Sequence, residues 1–140
     1  MALPAHLTLE IVTPERALAH EQVDEVQIPG ADGYFDVLPG HTPLLAALQV
    51  GELWYRRGTE KQYIAIAFGF AEVLPDRVTI LARLGERAEE IDVVRAEDEK
   101  RRAQEMLARR SADVDLERAR VSLLKALARL NVAGRARNRG

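Results

Sequence analysis

Cysteine is missing from the 140 residues. That absence removes disulfides, thiolate zinc sites and cysteine nucleophiles, and it accords with a reducing compartment. Serine is nearly missing: Ser111 and Ser122 are the only two, and no G-x-S-x-G elbow surrounds either. No G-x-x-x-x-G-K-[ST] loop is present to cradle phosphates. The three histidines, His6, His20 and His41, stand far apart, with no H-E-x-x-H pairing for zinc. Carboxylates such as Glu89 and Glu90 lie among arginines, which favours solvated ion pairs over a raised-pKa acid. No apolar run reaches the roughly 18 residues of a membrane span. The opening MALPAHLTLEIV lacks the basic flank and apolar core of a signal peptide. These absences exclude the common catalytic chemistries and lead to the expectation of a soluble, cytoplasmic, non-catalytic protein docked to something else.

What is present divides the chain in two. Residues 1–85 carry 6 Lys/Arg against 11 Asp/Glu, net −5, whereas residues 86–140 carry 14 against 11, net +3. Opposite signs on two segments imply separate surfaces for separate partners. Up to residue 84 the apolar positions alternate, as in Leu7-Thr8-Leu9-Glu10-Ile11, Val26-Gln27-Ile28 and Val78-Thr79-Ile80. A period of two marks half-buried strands. Turn residues at Thr13-Pro14, Pro29-Gly30, Asp32-Gly33, Pro39-Gly40, Gly58-Thr59 and Pro75-Asp76 punctuate them. Short strands with frequent turns predict a sandwich or barrel.

From Glu86 to Ala133 there is no glycine or proline, and Ala, Leu, Glu and Arg dominate. Asp92 is placed to cap a helix running to about Arg110. Ser111-Ala112-Asp113 reads as a break, and Asp113 or Asp115 as the cap of a second helix ending near Val132. Gly134 follows as a stop signal, with a basic, disordered tail GRARNRG after it. The tight connection predicts an antiparallel hairpin. The first helix has a thin apolar stripe, Val93, Ala96, Ala103 and Leu107. The second is apolar on more than one side, with Leu116, Ala119, Leu123, Leu127 and Leu130 on one line and Val121, Leu124, Ala128 and Val132 on another. The organisation expected is a β-sandwich of about ten short strands over 1–85 and a two-helix hairpin with a short basic tail over 86–140.

Three strings then carry a resemblance. IPGADGYFDVLPGHTPLLAALQVGEL, FGFAEVLPDRVTILA and ERAEEIDVVRA, in that order, resemble the epsilon subunit of the F-type ATP synthase from Leu7 to about Ala133. One departure is Asp36, where the family more usually has glycine. The resemblance implies a ten-stranded sandwich with a helical hairpin, a non-catalytic place in the central stalk of the rotor, and a role in coupling proton flow to ATP synthesis. It implies the gamma subunit and the c-ring as partners, with the turn holding Tyr34 and His41 facing the ring. The catalytic alpha/beta subunits join them when the helices extend to regulate ATP hydrolysis. Nucleic acid and membrane insertion have no part in it. The implied location is peripheral, on the cytoplasmic face of the bacterial inner membrane.

No cofactor is required, but the resemblance also implies a regulatory ATP on the folded hairpin, held through the I-D-x-x-R-A string. The matching positions are Glu86, Ile91, Asp92, Arg95, Ala96, Arg102, Arg118 and Arg129, with Lys125 where relatives carry arginine. Spacing agrees, because Arg95 and Arg102 share a helix face, as do Arg118, Ser122, Lys125 and Arg129. Two basic stripes in one hairpin accommodate an anion, and guanidinium forks bind triphosphate oxygens bidentately. The competing expectation is that Asp98, Glu99, Glu105 and Glu117 neutralise the stripes as surface pairs. A free-standing β-sandwich nucleotide sensor is the alternative to a rotor subunit; neighbouring genes for other synthase subunits separate the two.

Overall fold

A computed structural model describes residues 3–109 and 115–138. Seven strands form one sheet: β1 (Leu7–Val12), β2 (Ala17–Val23), β3 (Glu25–Gly30), β4 (Gly33–Val37), β5 (Leu44–Arg57), β6 (Glu60–Leu74) and β7 (Arg77–Arg87). Their spatial order is β2-β1-β7-β6-β5-β3-β4. All neighbours are antiparallel except β1 and β7, which run parallel.

The expected ten short strands are seven because β5, β6 and β7 are long and serve both layers. The buried set reveals where they turn. In β5 the inward residues are even up to Leu48 and odd from Gly51 through Leu53 to Tyr55. In β6 Ile64 and Ile66 face the core on one side of the bend, and Ala71 and Val73 on the other. The switch falls where Phe68 and Gly69 take φ of 61° and 123°. A side chain at Gly69 would put its Cβ 2.0 Å from the Leu81 carbonyl oxygen, so only glycine lets β6 and β7 approach here.

The bend folds the sheet back on itself. The Tyr55 hydroxyl of β5 donates to Glu21 of β2 at 3.1 Å, although three strands separate them in the sheet. All seven strands contribute to a single core dominated by Leu7, Leu9, Ile11, Ile28, Leu53, Ile64, Ile66 and Ile80. Burial raises the Tyr55 pKa above its ordinary value.

A 3-10 turn, Ala88–Glu90, joins β7 to α1 (Val93–Arg109); α2 spans Leu116–Asn138. Asp92 caps α1 by accepting the Arg95 N–H at 3.1 Å, and Asp115 caps α2 through the Arg118 N–H at the same distance. The break expected at Ser111-Ala112-Asp113, and the alternative cap Asp113, lie outside the described residues. The predicted stop at Gly134 does not occur, and the expected basic tail is helical through Asn138. Tertiary contact explains the extension: Arg135 Nε donates to Glu52 of β5 at 3.1 Å, and its guanidinium lies 5.8 Å from the Tyr63 ring of β6.

The two helices form a hairpin, and α2 rather than α1 makes its main contact with the sandwich, on β5 and β6. Small residues set the spacing. Ala96 and Ala103 are the buried residues of α1. In α2, Ala119, Ala126 and Ala133 recur every seven residues, with Ala128 and Val132 beside them. Beneath α2, Ala65 and Ala67 lie on the outward side of β6 yet are buried. Alanine there gives a helix a flat floor, since any longer side chain would hold it off.

Candidate functional site

A cleft of about 350 Å³ opens where the hairpin meets the sandwich, within the range that takes small molecules. Its apolar wall comes from Val50, Ala65, Ile66, Ala67, Leu84 and Ala128. Its charged lining is Glu86 at the end of β7, Arg95 and Glu99 one turn apart on α1, and Lys125 and Arg129 one turn apart on α2.

Four of these groups form a continuous ionic chain. Arg129, with its side chain only 16% exposed, donates through Nε to Glu86 at 2.7 Å and through Nη1 to Glu99 at 3.0 Å. The other Glu99 oxygen accepts from Arg95 Nε at 3.0 Å. Strand, α2 and α1 are thereby tied at one point. Arg129 is the enclosed member and Arg95 is largely exposed, so it is the loss of Glu86 or Glu99, leaving Arg129 short of a counter-charge, that costs more than an exposed pair is worth. Lys125 extends toward Phe68, its ammonium 6.0 Å from the ring centroid.

The nine residues singled out as a nucleotide set are only partly brought together. Glu86, Arg95, Lys125 and Arg129 line the cleft. Asp92 is the α1 cap, and Ile91 the extended residue that ends the 3-10 turn. Ala96 is fully buried in the helical hairpin, where it allows close packing but presents nothing to a ligand. Arg102 lies outside the cleft, paired to Asp98 at 3.0 Å. Arg118 is exposed outside the cleft as well. The reason is geometric: the cleft sits over the sandwich, at the start of α1 and the middle of α2, and Arg102 and Arg118 lie further along the hairpin. Surface pairing thus accounts for Arg102, and for Arg101 and Arg120, which pair with Asp98 and Glu117. It also reaches into the cleft through Glu99. Sequence reasoning placed Glu99 among the neutralising carboxylates and missed its position between two arginines. The floor was missed too, although its signal is present in Ile64-Ala65-Ile66-Ala67, where the strand alternates large and small rather than apolar and polar.

The linker is clamped to the sandwich. Arg16 Nη1 donates to Glu90 at 2.8 Å while its second terminal nitrogen holds the other Glu90 oxygen, a bidentate pair. Arg87 donates to the Leu18 carbonyl oxygen, and its own N–H is accepted by Glu90 at 3.3 Å. The Arg16 pair, above all, holds Glu90 below the usual carboxylate pKa.

Tyr34, expected on a turn, stands in β4 and is half-exposed, with its hydroxyl over Gly51 accepting the N–H of Glu52, the residue that pairs with Arg135 of α2, at 3.0 Å. The loop after β4 is pinned by the Gly40 N–H to the Pro75 carbonyl oxygen at 2.7 Å, and the His41 N–H closes a turn on Leu38 at 3.1 Å. His41 Nδ1 lies 2.6 Å from the Thr42 carbonyl oxygen. Asp36 sits in the regular β3–β4 ladder opposite Gln27, so its replacement of a family glycine leaves the strand undisturbed.

A β-sandwich with a helical hairpin folded over a charged cleft defines a two-part protein of sandwich and hairpin. Two family models divide the chain along the same line. The ATP synthase delta/epsilon chain beta-sandwich domain matches residues 6–88, and the long alpha-helix domain of the same chain matches residues 89–134. The chain is 50% identical to the ATP synthase epsilon chain of Syntrophobacter fumaroxidans, over 91% of its own length and 95% of that relative. It is 47% identical to that of Nitratidesulfovibrio vulgaris, over 93% and 97%. A chain in the mitochondrial ATP synthase of Euglena gracilis shares the fold at 24% identity, with a TM-score of 0.82 over 95% of this chain and 84% of that one. The protein belongs to the ATP synthase delta/epsilon chain family, as a non-catalytic epsilon subunit.

Proposed function

We propose that the chain works in the central stalk of the rotor, on the cytoplasmic face of a bacterial inner membrane, coupling proton flow to ATP synthesis and restraining ATP hydrolysis through its hairpin. The observation that carries the regulatory part is the way the hairpin is held. Its buried residues are alanines and one valine, an ionic chain closes its cleft, and Leu116 and Leu124 remain exposed on α2. Such a hairpin has apolar surface left for a second packing, against gamma, with Arg118 and Arg120 turned toward the catalytic alpha/beta subunits.

For the sandwich, the docking face for gamma is the outer row in which Ala47, Phe70 and Leu81 are register neighbours across β5, β6 and β7, flanked by Leu45. Phe70 is 56% and Leu45 72% exposed, and apolar side chains exposed side by side in one row are suited to docking against another protein. Tyr34 on β4 and the pinned turn bearing His41 face the c-ring. In the cleft, the apolar wall receives the base of ATP and the Arg95, Lys125 and Arg129 side its phosphates. ATP stabilises the folded hairpin only to the extent that it binds that state better than the extended one.

The experiment is ATP hydrolysis by the reconstituted complex with the full chain and with a chain ending at Arg109, at low ATP. The truncated chain should leave hydrolysis faster; equal rates would make the hairpin a passive strut. In calorimetry, Arg95→Ala should weaken ATP binding by at least about 1.5 kcal/mol, the worth of a charged hydrogen bond. Arg101→Ala, paired away from the cleft, should change little, and no heat from the unaltered chain at millimolar ATP would remove the nucleotide from the mechanism.

A further inference from the structure

The two arginines that would hold a phosphate chain already hold a carboxylate. Glu99 gives one oxygen to Arg95 and the other to Arg129, each at 3.0 Å, and Arg129 is held in turn by Glu86. The cleft therefore has three cations, Arg95, Lys125 and Arg129, against two carboxylates, Glu86 and Glu99. With Glu99 neutral, the ratio becomes three to one and two guanidinium groups face each other across the gap.

We propose that Glu99 is a built-in anion: when the cleft is empty it latches α1 to α2, which Arg129 and Glu86 in turn tie to the sandwich, and a phosphate-bearing ligand enters by displacing it. The second half rests on the nucleotide reading above; the first does not. Bidentate use of one carboxylate by two arginines on different helices is what a bound phosphate would offer them. Because Glu99 is on α1 while Arg129 is on α2, the carboxylate links the two helices, and Arg129 carries the tie on to β7 through Glu86. A ligand that replaces it must supply at least the same ties, so oligophosphates displace it and single carboxylates do not. Glu99 thereby sets ligand affinity low and keeps the closed hairpin from depending on ligand.

The test compares the full chain with Glu99→Gln and with Glu97→Gln, which removes the same charge from an exposed position on the same helix outside the cleft. Hydrogen exchange of α2 amides without ligand should be roughly 5–10-fold faster in Glu99→Gln and unchanged in Glu97→Gln. Titration with ATP, and separately with inorganic triphosphate, should give roughly 5–10-fold tighter binding to Glu99→Gln than to the unaltered chain. Unchanged α2 exchange in Glu99→Gln overturns the latch. Equal or weaker oligophosphate binding by Glu99→Gln, when the unaltered chain binds, overturns the displacement. If neither chain binds ATP or triphosphate but α2 exchange still accelerates in Glu99→Gln, the latch stands and the nucleotide reading falls.

Discussion

The sandwich and the hairpin bury different kinds of residue, and the difference bears on what each can do. Inside the sandwich the fully enclosed side chains are large, with Tyr55, Leu7, Leu9, Ile11, Leu53 and Ile64 among them. Inside the hairpin they are Ala96, Ala103, Ala119, Ala126 and Ala133, with Val132 the largest. A buried leucine or isoleucine contributes about 1.5–3 kcal/mol, and an alanine methyl well under half of that. The sandwich is therefore a body that stays folded. Among the described residues the hairpin's fully enclosed contacts are small and its leucines, such as Leu107, Leu123, Leu127 and Leu130, are only partly buried, so less apolar burial holds it in place.

The hardest blow to the sandwich should come from Gly69→Ala. It adds to the roughly 1–3 kcal/mol of positive-φ strain a Cβ forced against the Leu81 carbonyl oxygen. Loss of cooperative urea unfolding is expected; a folded variant of near-normal stability would mean that the bend in β6 does not need this close approach.

Next in size, Leu53→Ala should cost about 2–5 kcal/mol in global stability. Leu124→Ala on the exposed side of α2 should cost less than about 1 kcal/mol. Similar shifts in urea midpoint would erase the contrast between the two regions.

Ala126→Leu asks what the alanine seam is for. Leucine at this enclosed position should cost about 1–3 kcal/mol, spent on parting the hairpin rather than on the sandwich. Faster amide exchange throughout α2 with unaltered protection of β6 is the expected pattern, and equal acceleration in both regions would show that they unfold together.

The smallest effect is a response to acid. Asp24 accepts from the Gly58 N–H at 2.7 Å and lies 3.1 Å from His6 Nδ1; the Gly58 bond chiefly holds its pKa below the ordinary carboxylate value. Glu90 is lowered in the same sense by Arg16. Because both folded pKa values are depressed, their stabilisation is complete above the ordinary carboxylate range and is lost as pH falls through the lowered values. Below about pH 4 the linker should loosen as Glu90 protonates. Glu90→Gln should remove that linker component and leave the Asp24 component in the sandwich. An unchanged acid profile at the linker would mean that the Arg16 pair contributes nothing there.

Some features were legible from local pattern. Alternation and turns in residues 1–85, the good helix formers after Glu86, the cap Asp92, and Asp115 as one of two candidate caps each follow from what a short stretch of chain prefers, and the structure has them. The strand count was not legible. Turn residues mark where a chain reverses, but a strand that bends and continues, as β6 does at Phe68-Gly69, carries no break in hydrogen-bonded register for a pattern to reveal. Gly134 misled for a related reason: glycine is a stop only when nothing supports the helix beyond it, and Arg135 has Glu52 and Tyr63 waiting.

The same division runs through the cleft. Which residues could meet an anion was set by the sequence, since helical spacing alone puts Arg95 near Glu99 and Lys125 near Arg129. Which of them line one cleft was settled by the docking of α2 on Ala65 and Ala67. That docking brings Glu86 under Arg129, draws Glu99 between two arginines and leaves Arg102 and Arg118 outside. Spacing along one helix is a local quantity, whereas the angle and depth at which a helix rests on a sheet depend on side-chain volumes at positions some 60 residues apart in the chain.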